Sequence, residues 1–247
     1  MSRLFQYFSA LTLLLILTKP SAADPPDTEV GPPLKITMRV YNYAHLPSWT
    51  MERTRKETTQ IFGEVGIEPV WVDCPTSDAE IHRFQGCLNR LGPTDVVLKI
   101  IPRFQSKREG FRDTLFGFAA GFQISVVFSR VEEVAKDAEA SRPQILAVAI
   151  AHEIGHVLLG PNSHSSTGVM RSQWNEDEFR RSNRQAFHFT PEQAQRLQAE
   201  LFMKVREEGD TSRKGVPVVA VPIKPSTGAR PVVTTHRFEV SSTDFSL

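Results

Sequence analysis

Ala151-His-Glu-Ile-Gly-His-Val-Leu-Leu-Gly160-Pro-Asn-Ser-His-Ser-Ser-Thr-Gly-Val-Met170 is the stretch from which the rest of the chain is best read. The run from Pro143 to Leu159 predicts a buried helix, because Ile145, Val148, Ala149, Val157 and Leu158 surround its polar His and Glu residues. Gly160 and Pro161 should end that helix, Gly by adopting a left-handed conformation and Pro by refusing to continue it. His152 and His156 are four residues apart, so on a helix both imidazoles share one face, a turn apart, where they can bind the same metal ion. Neutral imidazole nitrogen is a good zinc ligand. Glu153 lies beside the first histidine, and a carboxylate there can take a proton from an activated water and later pass it to a leaving amine.

Catalytic zinc is usually held by three protein ligands, with one position left open. His164, across the turn that Gly160 and Pro161 open, is the nearby third candidate, and three of the seven histidines fall between 152 and 164. The alternative is that His152 and His156 are core histidines hydrogen-bonded to backbone. That reading leaves Glu153 buried between them without a partner, at a cost of several kcal/mol.

Working outward, Leu34 to Tyr43 alternates, with Ile36, Met38 and Val40 on one side and Lys35, Thr37 and Arg39 on the other, as a half-buried strand does. Ser48 is placed to cap a helix running to about Glu64, with Met51, Thr54, Thr58, Ile61, Phe62 and Val65 on its inner face. Ile67 to Val72 reads as a second strand, and Asp95 to Ile101, bounded by Pro93 and Pro102, as a central one. Phe104 to Thr114 is polar and basic and reads as a surface loop. Leu115 to Gly121 follows, and Phe122 to Val131 gives another strand signal. Glycine in such a run marks a bulge or a place of close approach. Thr190-Pro-Glu-Gln193 is a strong helix start, with Thr at the cap, Pro at the first position and Gln three residues on, for a helix to about Glu207. The order of strands and helices predicts an α/β or α+β domain over residues 34–208. No internal repeat is visible.

The ends read differently. Arg3 precedes an apolar run, Leu11 to Leu17, too short to span a membrane comfortably, and Ser21-Ala22-Ala23 offers a signal-peptidase site before Asp24. Residues 1–23 are therefore expected to be a signal peptide and the protein to be exported, either secreted or periplasmic. An uncleaved anchor is the alternative. Residues 24–33, with four prolines, read as an extended leader, and residues 209–247, rich in Pro, Ser, Thr and Val, as a flexible tail. In an oxidising compartment the only two cysteines, Cys74 and Cys87, are expected to form a disulfide; they lack the close pair spacing of a zinc ribbon. The net charge of +1, with basic residues spread out, excludes a strong pull toward nucleic acid or an anionic membrane, and the absence of a heptad points to a monomer.

The segment HEIGHVLLGPNSHSSTGVM resembles the metzincin zinc peptidases, whose pattern is HExxHxxGxxH followed by a Met-turn. The resemblance covers about twenty residues. It implies one catalytic Zn2+ held by His152, His156 and His164, Glu153 as general base, and Met170 as an apolar floor under the metal. It also implies a twisted mixed sheet whose edge strand, around Gly117 to Gly121, aligns a peptide or protein substrate. The spacing departs from the pattern: Leu159 and Asn162 occupy the places of the usual Gly and third His, while Gly160 and His164 arrive one and two residues late. The Met follows only six residues after His164, and no Tyr follows it. Because the gluzincins take their third ligand from a Glu on a later helix, Glu176, twenty residues past His156, is the competing candidate. A non-catalytic zinc-binding scaffold is a further alternative. His188 is a candidate to assist catalysis, whereas a lone His is more often a surface residue, and His45, His82 and His236 carry no spacing signal.

Overall fold

The structure is a computed structural model and describes residues 34–77, 79–104, 115–174, 176–180 and 186–213. The signal segment, the leader, most of the 104–114 loop, His236 and the tail beyond Arg213 lie outside the described residues.

Among the described residues, five strands form one mixed sheet in the order β2-β1-β3-β5-β4. They are β1 (Leu34–Asn42), β2 (Ile67–Cys74), β3 (Asp95–Ile101), β4 (Gly117–Ala120) and β5 (Gln123–Val127). The first four in that order pair in parallel, and β4 closes one edge antiparallel to β5, with Gly117 opposite Val126. The α/β architecture expected from the sequence is the one observed. β3 is central, as expected of the 95–101 run, and the inward residues Ile36, Met38 and Val40 of β1 join a single core with Leu98, Ile100, Ile124 and Val126.

Among the described residues, six helices accompany the sheet: α1 (Ser48–Gly63), α2 (Gln85–Leu88), α3 (Phe128–Asp137), α4 (Arg142–Leu159), α5 (Glu176–Arg180) and α6 (Pro191–Arg213). α4 is the hub. It packs against α1, α3, α6 and the β4–β5 edge, and nearly every residue from Ile145 to His156 is buried. A helix apolar all round must be enclosed on all sides, and this position encloses it.

Several boundaries differ from the expectation. Ser48 is already helical; Pro47 takes the cap position of α1 and no side chain caps it. The strand expected to run to Val131 ends at Val127, and Phe128–Asp137 is helical, burying Val131, Val134 and Ala135 at the three- and four-residue spacing of a helix. α6 runs to Arg213, so residues 209–213, assigned to the tail, are helical. Arg39, placed on the polar side of β1, is only 5% exposed. Its guanidinium pairs with Asp95 at 2.7 Å and donates to the carbonyls of Asn89 and Arg90, so the loop after β2 covers that face. The Cys74–Cys87 disulfide closes the same loop, with the two Cα atoms 5.7 Å apart.

Candidate metal centre

The C-terminal half of α4 carries His152, Glu153 and His156, all buried in the core. Gly160 ends the helix with φ of 90°, as expected of its position, and its N–H donates to the His156 carbonyl. The chain then turns and returns His164 to the histidine pair. The Nε2 atoms of His152 and His156 are 2.7 Å apart, and those of His156 and His164 are 3.1 Å apart. Among the described residues, these three histidines form the one group of three or more His, Cys, Asp or Glu residues close enough to hold a metal ion, with all ligand atoms within 4.8 Å. Glu176 opens α5, and its side chain is outside the described residues.

The other ring nitrogens fix the state of two of the three rings. His152 Nδ1 lies 2.8 Å from the Val169 carbonyl. His156 Nδ1 lies 3.2 Å from the Gly160 carbonyl and 3.1 Å from Ser163 Oγ. A carbonyl can only accept, so each Nδ1 donates, and the neutral ring then presents its Nε2 lone pair to the centre. Lone pairs at these separations repel unless positive charge lies between them. A proton serves one pair at a time, whereas a metal dication serves all three rings. His164 is the exposed member, and partial burial of its ring lowers its pKa, which keeps it a neutral donor.

Glu153 is 0% exposed, and among the described residues neither carboxylate oxygen has a hydrogen-bond partner. Desolvation raises its pKa well above the ordinary carboxylate value. The side chain points toward the sheet edge. A Cβ placed at Gly117 would lie 2.9 Å from both Cγ and Oε1 of Glu153 and 2.7 Å from the Ser125 carbonyl. Gly117 is thus the close approach that a strand glycine signals, and what approaches is the carboxylate.

Met170 is fully buried and lies against Gly155, where any Cβ would run into its Sδ. Gly155 is the bare step of α4 between the two histidines. The turn that carries Met170 is closed by Ser165 N–H donating to the Met170 carbonyl at 2.9 Å and by Val169 N–H donating to the His188 carbonyl at 2.9 Å. His188 therefore enters the centre through its backbone. His45 sits in the turn after β1 and His82 in a short 3₁₀ turn, both away from the trio.

Two contributors escaped the sequence reading. Trp174 is fully buried and meets the His152 ring edge-on at 5.5 Å, backed by Phe116 and Phe179 at 5.7 Å each. Ser163 binds His156 through its hydroxyl. Neither had a spacing signal, although Ser163 adjoins the candidate ligand His164 and a serine there is a natural partner for a ring N–H.

No protein-family model matches this chain, and no curated protein does. Among solved structures it is similar to a zinc-dependent peptidase from Methanocorpusculum labreanum, at 14% identity and a TM-score of 0.45 over 65% of this chain and 99% of that one. It is also similar to an archaemetzincin from Methanopyrus kandleri, at 17% identity and a TM-score of 0.41 over 71% of this chain and 99% of that one. Likeness at that level leaves the chemistry of this chain to be judged from its own residues.

Proposed function

We propose that this protein is an exported zinc-dependent peptidase, with His152, His156 and His164 as the metal ligands and Glu153 as the general base. The observation that carries the proposal is the buried carboxylate of Glu153, without a hydrogen-bond partner among the described residues, one residue from the first of three converging imidazoles. A fold does not ordinarily keep an unsatisfied buried acid, because leaving it so costs about 1–3 kcal/mol or more. A metal site held only for stability has no use for it.

The donor set fits zinc. Three neutral imidazoles give the ligand chemistry that catalytic zinc accepts, and the carbonyls of Val169 and Gly160 orient two of the rings from behind. When bound, zinc supplies Lewis acidity toward a carbonyl oxygen and makes water more acidic. The protein's own residues supply the rest. Burial makes Glu153 a stronger base than an exposed carboxylate and so better matched to taking a proton from water near neutral pH. Gly117 leaves room for the carboxylate at the sheet edge, and β4, as the edge strand, offers backbone groups to which an extended peptide can add. The substrate class is therefore peptide or protein, with the chain acting as a monomer. Export through residues 1–23 is supported by the Cys74–Cys87 disulfide, a bond that persists in oxidising compartments.

Metal analysis of the mature protein tests the site. About one equivalent of zinc, lost in His164→Ala and kept in Glu176→Ala, is the expected result. Zinc kept without His164 and lost without Glu176 would transfer the third ligand to Glu176. A parent protein that takes up no zinc on reconstitution would return His152 and His156 to the core.

A further inference from the structure

The turn between Gly160 and His164 is wider than the resemblance predicts, so something must hold it. The holding group is on α6. Gln193, 6% exposed, opens that helix in a reciprocal cap: its Oε1 accepts from Thr190 N–H at 3.0 Å, and its own N–H donates to Thr190 Oγ1 at 3.2 Å. A cap needs no more than that. Yet Gln193 Nε2 also donates, at 3.1 Å, to the carbonyl of Ser163, thirty residues away. Ser163, itself 5% exposed, then donates through its hydroxyl to the Gly160 carbonyl at 2.7 Å and accepts from His156 Nδ1 at 3.1 Å. One turn further along α6, Arg196 donates to the Leu159 carbonyl at 3.1 Å, at the end of α4.

We propose that Gln193 is a positioning residue for the histidine trio: through Ser163 it fixes both the ring orientation of His156 and the path of the turn that presents His164. This rests on the reading of the trio as a metal site. The chain of hydrogen bonds runs from Thr190 N–H through the Gln193 amide to the Ser163 carbonyl, and from His156 Nδ1 through the Ser163 hydroxyl to Gly160. Each link has a defined direction, and the last sets the His156 tautomer that exposes its Nε2 lone pair. The same side chain that starts α6 thereby fixes the width of the metal turn.

The two duties of Gln193 can be separated. Gln193→Glu keeps an acceptor for Thr190 N–H, and the helix N-terminus favours its charge, but it has no donor for the Ser163 carbonyl. Thr190→Val does the reverse: it removes the hydroxyl half of the cap and leaves the Gln193 amide in place. Zinc affinity is measured by chelator competition at fixed pH, and backbone amide exchange over residues 160–164 is measured in the metal-free protein. Gln193→Glu is expected to weaken zinc binding by about ten- to a hundredfold and to speed exchange across the turn. Thr190→Val is expected to lower the melting temperature while zinc affinity stays at the parent value. Ser163→Ala should reproduce the affinity loss of Gln193→Glu. Equal affinity losses in Gln193→Glu and Thr190→Val would reduce Gln193 to a helix cap and overturn the proposal, as would unchanged zinc affinity and exchange in Gln193→Glu. If the parent binds no zinc, the metal site itself fails; the exchange comparison, which needs no metal, then shows only whether Gln193 braces the turn.

Discussion

Arg39 and Glu153 are both charged residues in the interior, and the protein treats them in opposite ways. Arg39 is surrounded by acceptors: the Asp95 carboxylate and the carbonyls of Asn89 and Arg90. Glu153 is buried more deeply still, with neither oxygen paired among the described residues. The cost of taking a charge out of water applies to both, and only one recovers it within the fold. A buried charge that is fully satisfied braces the structure, here by pinning the disulfide loop to the back of β1. A buried carboxyl group left unsatisfied is available for chemistry, and it stands next to the three imidazoles that can hold a metal.

That contrast can be broken most directly at Glu153. Glu153→Gln should lower peptide hydrolysis by about 10²–10⁴-fold, the usual contribution of a positioned base, with zinc content and melting temperature at or above the parent's. Full hydrolysis in that variant would remove the residue from the mechanism. Arg39→Met should do the reverse: it strands Asp95 and two carbonyls, so denaturant titration should show a loss of about 3 kcal/mol with the zinc content of the folded fraction intact. Cys74→Ala with Cys87→Ala should cost about 3 kcal/mol in the loop-entropy account. Because Arg39 grips the same loop, the combined variant should lose less than the sum, and strict additivity would separate the two devices. The smallest effect is expected at Gly117→Ala, where overpacking against Glu153 and the Ser125 carbonyl should cost about 1–3 kcal/mol and lower turnover more than it raises KM. A variant with normal turnover would show that the carboxylate has room elsewhere.

Local chemistry made some elements readable to the residue. Pro93 and Pro102 bound the 95–101 strand, and β3 spans Asp95–Ile101 as expected. The start of α6 is announced by Thr190 and Gln193, and both halves of the cap are present. The errors came where one apolar run served two structures. Phe128 and Val131 extend the strand pattern of Ile124 to Val127, but they belong to the first turns of α3, which begins at Phe128 after Val127, a cap position with no side-chain hydrogen bond to mark it. Ser48 was a plausible cap whose place Pro47 takes. Arg39 looked like a solvent-facing residue because alternation tells one face of a strand from the other and does not reveal what covers either.

The sequence by itself determined the α/β class, the helix that carries His152, Glu153 and His156, its stop at Gly160 and the pairing of Cys74 with Cys87, because each depends on residue type and short spacing. Only the tertiary structure decided which residues stand behind that helix. Trp174 behind His152, Met170 against Gly155, Gly117 before Glu153 and Gln193 latched to Ser163 all join segments distant in the chain. Such contacts depend on how α4 is enclosed by β4, α6 and the 165–171 turn, and no periodicity along one segment encodes what another segment brings to meet it.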